Sequence, residues 1–211
     1  MRKQLVLVLA AALIPAGCGS DDGEDAAPPV TVTETVTTTA TVTEPAEPAE
    51  PEAECSTSGL RLTLPEQELP AAVAEVRERI FGAAVACDYE TLEQIALERG
   101  EGFTYSYGGS ASAAEFWRER EEAGAAEPDP KPMRALTAIL SLPYTRNESG
   151  SYAWPTAYQE SPSDADWQAL VDAGLYTQEQ IDQMRVGATG YLGYRTAITP
   201  DGDWQFFVAG D

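Results

Sequence analysis

The side chains with the most distinctive chemistry in this 211-residue sequence are three thiols, at Cys18, Cys55 and Cys87. A thiolate is a nucleophile that can form a thioether, and two thiols can be oxidised to a disulfide. The chain contains no histidine, which excludes mechanisms that need an imidazole base and removes the commonest ligands of zinc. The sequence therefore predicts covalent cysteine chemistry, with no metal site and no cofactor.

Cys18 ends an N-terminal segment, residues 1–18, that has the layout of an export signal. Arg2 and Lys3 give the segment a positive start, and residues 5–14 form an apolar run. That run is too short to cross a hydrocarbon core of roughly 30 Å as a helix. A cleaved secretory signal is therefore favoured over a transmembrane anchor.

Ala16-Gly17-Cys18 after an apolar run resembles the lipobox of bacterial lipoproteins, with Pro15 where that family usually has leucine or another apolar residue. The resemblance implies cleavage before Cys18 and its lipidation through a thioether. Fatty acyl chains such as palmitate would then hold the protein on the outer, extracytoplasmic face of the cell membrane. The alternative is an ordinary signal peptide cut nearby, which would release a soluble protein.

Residues 19–56 are predicted to form a disordered, acidic stalk rich in threonine and proline. Residues 19–54 contain ten acidic side chains and no basic one, and almost no large apolar residue whose burial could offset the entropy of ordering. Fully extended, such a stalk would reach on the order of 100 Å. We therefore expect it to act as a spacer between the lipid and a folded domain.

Cys55 and Cys87 remain for a disulfide once Cys18 carries lipid, and an exported compartment permits oxidation. Cys55 lies where the stalk ends, and Cys87 lies at the end of the first predicted helix. The bridge would close a loop of about 32 residues, for which the chain-entropy model gives roughly 3 to 4 kcal/mol. The alternative is that Cys87 is a small buried residue on the inner face of that helix.

Residues 57–211 are predicted to form one α+β domain, with a helical insertion around residues 163–185. Helix starts are marked by residues suited to helix N-termini, at Pro70, Asp88, Ser112, Ser163 and Thr177, and a further helix is expected around Met133. Strands are predicted from alternating patterns and turn residues, at residues 103–107, 143–146, 151–154, 191–198 and 204–209. Early helices followed by late antiparallel strands favour α+β over α/β.

This order of elements resembles the NTF2-like, cystatin-related cone fold, in which a curved antiparallel sheet wraps three helices. The resemblance rests on the opening helix pair joined by residues 87–92, on the strand before Gly108-Gly109 and on the late strands. It covers residues 66–211, and residues 198–211 also resemble the ending of a family of uncharacterised exported bacterial proteins. The cone fold hosts enzymes and binding modules alike, so it implies no function by itself.

Aromatic residues on or beside the predicted strands form a candidate pocket: Tyr105, Tyr107, Tyr152, Trp154, Tyr191 and Tyr194. In a cone fold such rings can line the concave face of the sheet, and the alternative is that they pack the core. No acid–base aspartate can be matched to that of related cone enzymes. Asp164 and Asp166 are interpreted as acids in the first turn of a helix and not as calcium ligands.

The net charge of −22, from 13 basic and 35 acidic residues, argues against nucleic acid as a partner. The sequence favours a membrane-anchored extracytoplasmic lipoprotein that acts as a non-enzymatic binding or interaction module for an unknown ligand or envelope protein. One alternative is a small enzyme on a cone fold that uses tyrosine and carboxylate groups for acid–base chemistry. Another is a structural component of the envelope.

Overall fold

A computed structural model of the protein describes residues 55–57, 60, 63–98, 102–106, 112–123, 130–186 and 190–210. The predicted signal with Cys18, the stalk up to residue 54, Tyr107 and the Gly108-Gly109 turn lie outside the described residues. No helix in the part of the chain that the structure describes is long and apolar enough to span a membrane.

The described residues form six α-helices and one antiparallel sheet, which confirms the predicted α+β class. The helices are α1 (Ala71–Ala86), α2 (Tyr89–Leu97), α3 (Ala113–Glu122), α4 (Pro132–Leu140), α5 (Asp164–Asp172) and α6 (Gln178–Val186). The strands are β1 (Thr145–Arg146), β2 (Tyr152–Trp154), β3 (Arg195–Ile198) and β4 (Trp204–Val208), and a 3-10 turn, Thr156–Tyr158, follows β2. The strands pair in chain order, each antiparallel to the next.

Polar residues expected to begin helices do so. The Asp88 carboxylate accepts a hydrogen bond from a backbone amide in the first turn of α2. Ser163 and Asp166 form a reciprocal capping box at the start of α5, and Thr177 and Gln180 exchange the equivalent bonds at the start of α6. The place of Asp166 in this box agrees with its interpretation as a helix-terminus acid, since a carboxylate is favoured there by the helix dipole.

The strand register sets which side chains form the core. Residues opposite each other in neighbouring strands share a face of the sheet, and Tyr152 pairs with Ile198 while Trp154 and Phe207 both pair with Thr196. All five of these side chains are buried. The helices cover this face, because α1 and α4 contact β3 and α2 contacts β4.

Among the described residues all five predicted strands are shorter than expected, and those predicted at 103–107 and 191–198 differ most. Of the described residues of the strand predicted at 103–107, only Thr104 pairs, in a parallel bridge to Phe206 of β4. The strand predicted from residue 191 begins only at Arg195, because side chains bind the backbone before it: the Tyr176 hydroxyl accepts from the amide of Tyr194 (3.0 Å), and the Tyr191 hydroxyl donates to its carbonyl (2.8 Å). In these two stretches the alternating aromatic residues pack against other rings and do not belong to paired strands.

Helix α4 is buried at eight of its nine residues, so its terminal backbone groups cannot rely on water. At its C-terminal end, the Arg77 guanidinium of α1, only 3% exposed, donates to the Leu140 carbonyl through Nε (3.2 Å) and Nη2 (2.6 Å) and to the Pro65 carbonyl through Nη1 (3.0 Å). Burial lowers the pKa of Arg77 to about 10. The group therefore stays charged at neutral pH and complements the negative end of the helix dipole.

The turn between β3 and β4 brings its glycine close to the backbone of α1. Gly202 has φ +85°, and a Cβ atom there would lie 3.0 Å from the Ala72 carbonyl oxygen. We expect Gly202→Ala to lower the free energy of unfolding by about 1–3 kcal/mol. Gly82→Ala in α1, where a Cβ meets nothing within 4 Å, is the control and should raise stability by up to about 1 kcal/mol. Urea denaturation measures both, and a Gly202→Ala variant as stable as the wild type would contradict the described turn.

Candidate functional site

The aromatic residues of the candidate pocket do not line one common cavity in the described structure. Tyr105 lies against Trp117, whereas Tyr152 lies against Tyr144. Tyr191 belongs to a third group of rings with Trp167 and Tyr176, and Tyr194 stacks on Phe207. Trp154 is fully buried, and Tyr152 and Tyr191 are nearly so. This arrangement agrees with the core-packing interpretation of these rings.

Cys55 and Cys87 form a disulfide with their Cα atoms 5.8 Å apart and a sequence separation of 32. Cys87 is the residue that ends α1, and it adopts the left-handed conformation common at helix C-termini. The bridge therefore fixes the point at which the predicted stalk reaches the domain to the end of the first helix.

The next two residues are fixed to the domain as well. Ser56 Oγ donates to Glu121 Oε1 (3.0 Å) and accepts from the amide of Arg134 (3.2 Å). Thr57 Oγ1 donates to the Val85 carbonyl (3.0 Å). We call residues 55–57 the junction segment; each of its three side chains is bonded to a helix or a helix end.

Glu121 connects the junction segment to α4. It lies in the last turn of α3 and is 4% exposed, and its Oε1 accepts from the amide of Met133 (2.6 Å) in the first turn of α4. Lys131, which precedes that helix, provides no side-chain cap, so the carboxylate takes the role of an N-cap and suits the positive end of the dipole. Its other oxygen, Oε2, is buried without a hydrogen-bond partner.

Sequence reasoning missed Glu121 because it follows a run of charged residues that suits a solvated helix face. The informative signal was its spacing: it falls one turn after Trp117 and two turns after Ala113, and all three lie on the buried face of α3. A charged residue at that spacing indicates a buried polar contact.

The charge of the Glu121 carboxylate affects the pKa of Tyr89. Burial, followed by the charge of Glu121, raises the pKa of Tyr89 to about 12. A general acid works best with a pKa near the operating pH, so this shift makes the phenol a poorer proton donor at neutral pH. The Tyr89–Glu121 neighbourhood is therefore better explained by packing at the helix ends than by acid–base chemistry.

A cavity of about 620 Å³ lies between α4 and α5, a size typical of small-molecule sites. It adjoins the junction segment, because Leu60 lines it and donates its amide to the Thr57 carbonyl (3.1 Å). The other apolar wall residues are Ala138, Leu142, Ala169 and Ala173, and the polar ones are Arg134, Thr137, Ser141 and Asp172.

The polar residues of the wall differ in how many of their donors and acceptors have a hydrogen-bond partner. Arg134 donates from Nη2 to the Gly174 carbonyl (3.3 Å), and within the described ranges it forms no ion pair. Thr137 is 1% exposed, and its Oγ1 is buried without a partner. Asp172 accepts from the Gln168 amide (2.9 Å). The described wall of the cavity therefore contains a cation with free donors, Arg134, whereas the unsatisfied hydroxyl of Thr137 is buried behind that wall.

No three His, Cys, Asp or Glu side chains in the described stretches are grouped so that they could hold a metal ion. The junction segment and the cavity between α4 and α5 are thus the two features from which a function can be inferred. No family model, curated protein or solved structure matches this chain.

Proposed function

We propose that this protein is an extracytoplasmic lipoprotein, anchored to the cell membrane by acyl chains on Cys18, whose folded domain binds a ligand or an envelope protein without catalysing a reaction. Residues 19–54 act as the spacer; the stalk expected from the sequence extends to residue 56, but Cys55 and Ser56 are held on the domain. The observation that carries the proposal is the junction segment, in which Cys55, Ser56 and Thr57 are each fixed to the domain.

A strong junction is what a tethered domain needs. Motion of a tether acts on the first folded residues, which fray in most domains unless they are held. Here the disulfide connects the first described residue, Cys55, to the end of α1, and Ser56 is hydrogen-bonded to α3 and α4. A force that the tether exerts on the domain is therefore transmitted to three helices. The disulfide also supports placement outside the cytoplasm, because such bonds persist in oxidising compartments.

The binding role is supported by the cavity between α4 and α5. Its wall combines apolar side chains with a guanidinium and hydroxyl groups, the mixture typical of small-molecule sites.

At the level of fold, we propose that the domain is a filled variant of the NTF2-like cone. Support comes from the α1–α2 pair, the extended residue Thr104 before α3, and helices packed on one face of an antiparallel sheet. The inner face carries large buried rings, Trp154, Trp204 and Phe207, where a cone enzyme would have a pocket. A crystal structure in which the sheet is flat, or in which the strands follow a different order, would contradict this assignment.

Replacing the proposed lipidation site tests the anchor. We expect the wild-type protein in the membrane fraction, released by detergent and resistant to high salt, because two acyl chains give stable attachment. Cys18→Ala should lose this attachment by at least about tenfold in the ratio of membrane to soluble protein or remain as an uncleaved precursor, since neither lipid nor its processing is available. The Cys55→Ser/Cys87→Ser variant is the matched control and should stay at the membrane. Equal membrane attachment of mature, cleaved Cys18→Ala would overturn the proposal.

A further inference from the structure

We propose that the cavity between α4 and α5 binds a small apolar monocarboxylate, with the carboxylate at Arg134 and the hydrocarbon chain against the leucine and alanine wall. This inference rests on the proposed binding function and names its ligand class. The starting observation is that a protein of net charge −22 places an arginine without an ion pair, within the described residues, in the wall of a cavity of about 620 Å³.

Arg134 is held in position for this role. Its backbone amide donates to Ser56 Oγ and its Nη2 donates to the Gly174 carbonyl, so both the backbone and the guanidinium of the residue are held at the cavity wall. A guanidinium has five N–H donors in a planar fork that matches a carboxylate. Most of those donors remain available to a ligand.

Thr137 contributes to the same wall from the next turn of α4, but it is 1% exposed and its Oγ1 is buried. A ligand in the cavity therefore does not reach this hydroxyl, and the guanidinium of Arg134 is the polar contact on which the proposal depends.

The rest of the wall selects among anions. Leu60, Leu142 and the alanines offer apolar surface, which suits a short hydrocarbon chain and not a polyanion such as a nucleotide. Asp172 lies in the same wall, and together with the negative charge of the whole protein it disfavours ligands with more than one negative charge. Its own carboxylate is already bonded to Gln168, so it is less available to a cationic ligand than Arg134 is to an anionic one.

The test is a titration of [1-¹³C]hexanoate against the full acylated chain in nanodiscs, followed by the carboxyl ¹³C resonance with empty nanodiscs subtracted. We expect saturable binding that acetate, hexanol and hexylamine compete for at least about tenfold less well, since each lacks either the chain or the anion. Arg134→Gln should weaken binding at least about tenfold. Arg79→Gln, an exposed arginine on α1, is the matched control and should bind as the wild type does.

Ala173→Leu keeps the charges and narrows the cavity, so it should weaken binding at least about threefold while near-ultraviolet circular dichroism stays that of the wild type. This variant tests the proposal if Arg134→Gln does not fold. Absence of saturable hexanoate binding, equal competition by hexylamine, or unchanged binding by Ala173→Leu would each overturn the proposal. Membrane attachment is measured separately by fractionation. A protein that is anchored yet does not bind hexanoate would overturn the ligand class alone, whereas loss of anchoring would overturn the proposed function.

Discussion

Replacing Cys55 and Cys87 together with serine is expected to lower the free energy of unfolding by about 3 to 4 kcal/mol. The bridge closes a loop of 32 residues, and the chain-entropy model assigns about that much to a loop of such length. The structure adds a local reason, because the bridge holds Ser56 and Thr57 against the ends of α1, α3 and α4. Urea denaturation of the oxidised wild type and of the double variant, both made as the full chain, measures the difference.

Reduction of the wild type provides the control for this prediction. Reduced wild type and the double variant should have the same midpoint of unfolding, since both lack the cross-link. Limited proteolysis should also cut the double variant near Leu60 faster than the oxidised wild type, because the junction segment is then held only by hydrogen bonds. An oxidised wild type no more stable than the double variant would show that the bridge contributes nothing.

Arg77→Met is expected to lower the free energy of unfolding by about 2 to 6 kcal/mol, because two carbonyls lose their donors and each unsatisfied buried group costs about 1 to 3 kcal/mol. Methionine replaces the apolar stem of the side chain but ends where arginine has Nε, so the guanidinium carbon that lies 5.7 Å from the centre of the Trp154 ring is lost as well. It removes every donor from the Leu140 and Pro65 carbonyls. The C-terminal end of the buried helix α4 then has unsatisfied acceptors.

Arg79→Met on the same helix is the matched control. Arg79 is exposed and forms an ion pair with Glu98, so its loss should change stability by less than about 1 kcal/mol. Arg77→Lys should fall between the two, because an ammonium group provides charge without the planar fork. If chemical denaturation gives Arg77→Met and Arg79→Met the same stability, the buried guanidinium does not cap α4.

Local signals in the sequence predicted the features that depend on local chemistry. Asp88, Ser163 and Thr177 begin helices because their oxygens bind backbone amides two or three residues away, a contact that spacing alone reveals. The hairpin around residues 147–150 and the β3–β4 turn at Gly202 follow from turn residues in the same way.

Contacts between distant residues could not be predicted in this way. Arg77 lies 63 residues from Leu140, and Ser56 lies 65 residues from Glu121, and nothing in the local pattern names either partner. The cavity depends on how α5 packs beside α4, a tertiary arrangement that capping signals do not determine. Charged residues on the inner faces of α1 and α3 were the available clue, since a charge at a core position must find a partner.

The aromatic residues show a different limit. Alternation at residues 103–105 and 191–194 is equally compatible with a strand and with rings that pack into a core. The structure uses it for ring contacts, such as Phe103 with Trp204, whose centroids are 4.6 Å apart. Period alone therefore could not separate a pocket lining from a packed interior.

Intact-mass and peptide mass spectrometry of the mature protein, purified from membranes, shows whether Cys18 carries lipid. We expect Cys18 to be the N-terminal residue and to carry a thioether-linked diacylglycerol, with residues 1–17 absent. Recovery of unacylated protein from the culture fluid, or of the uncut chain inside the cell, would contradict this expectation.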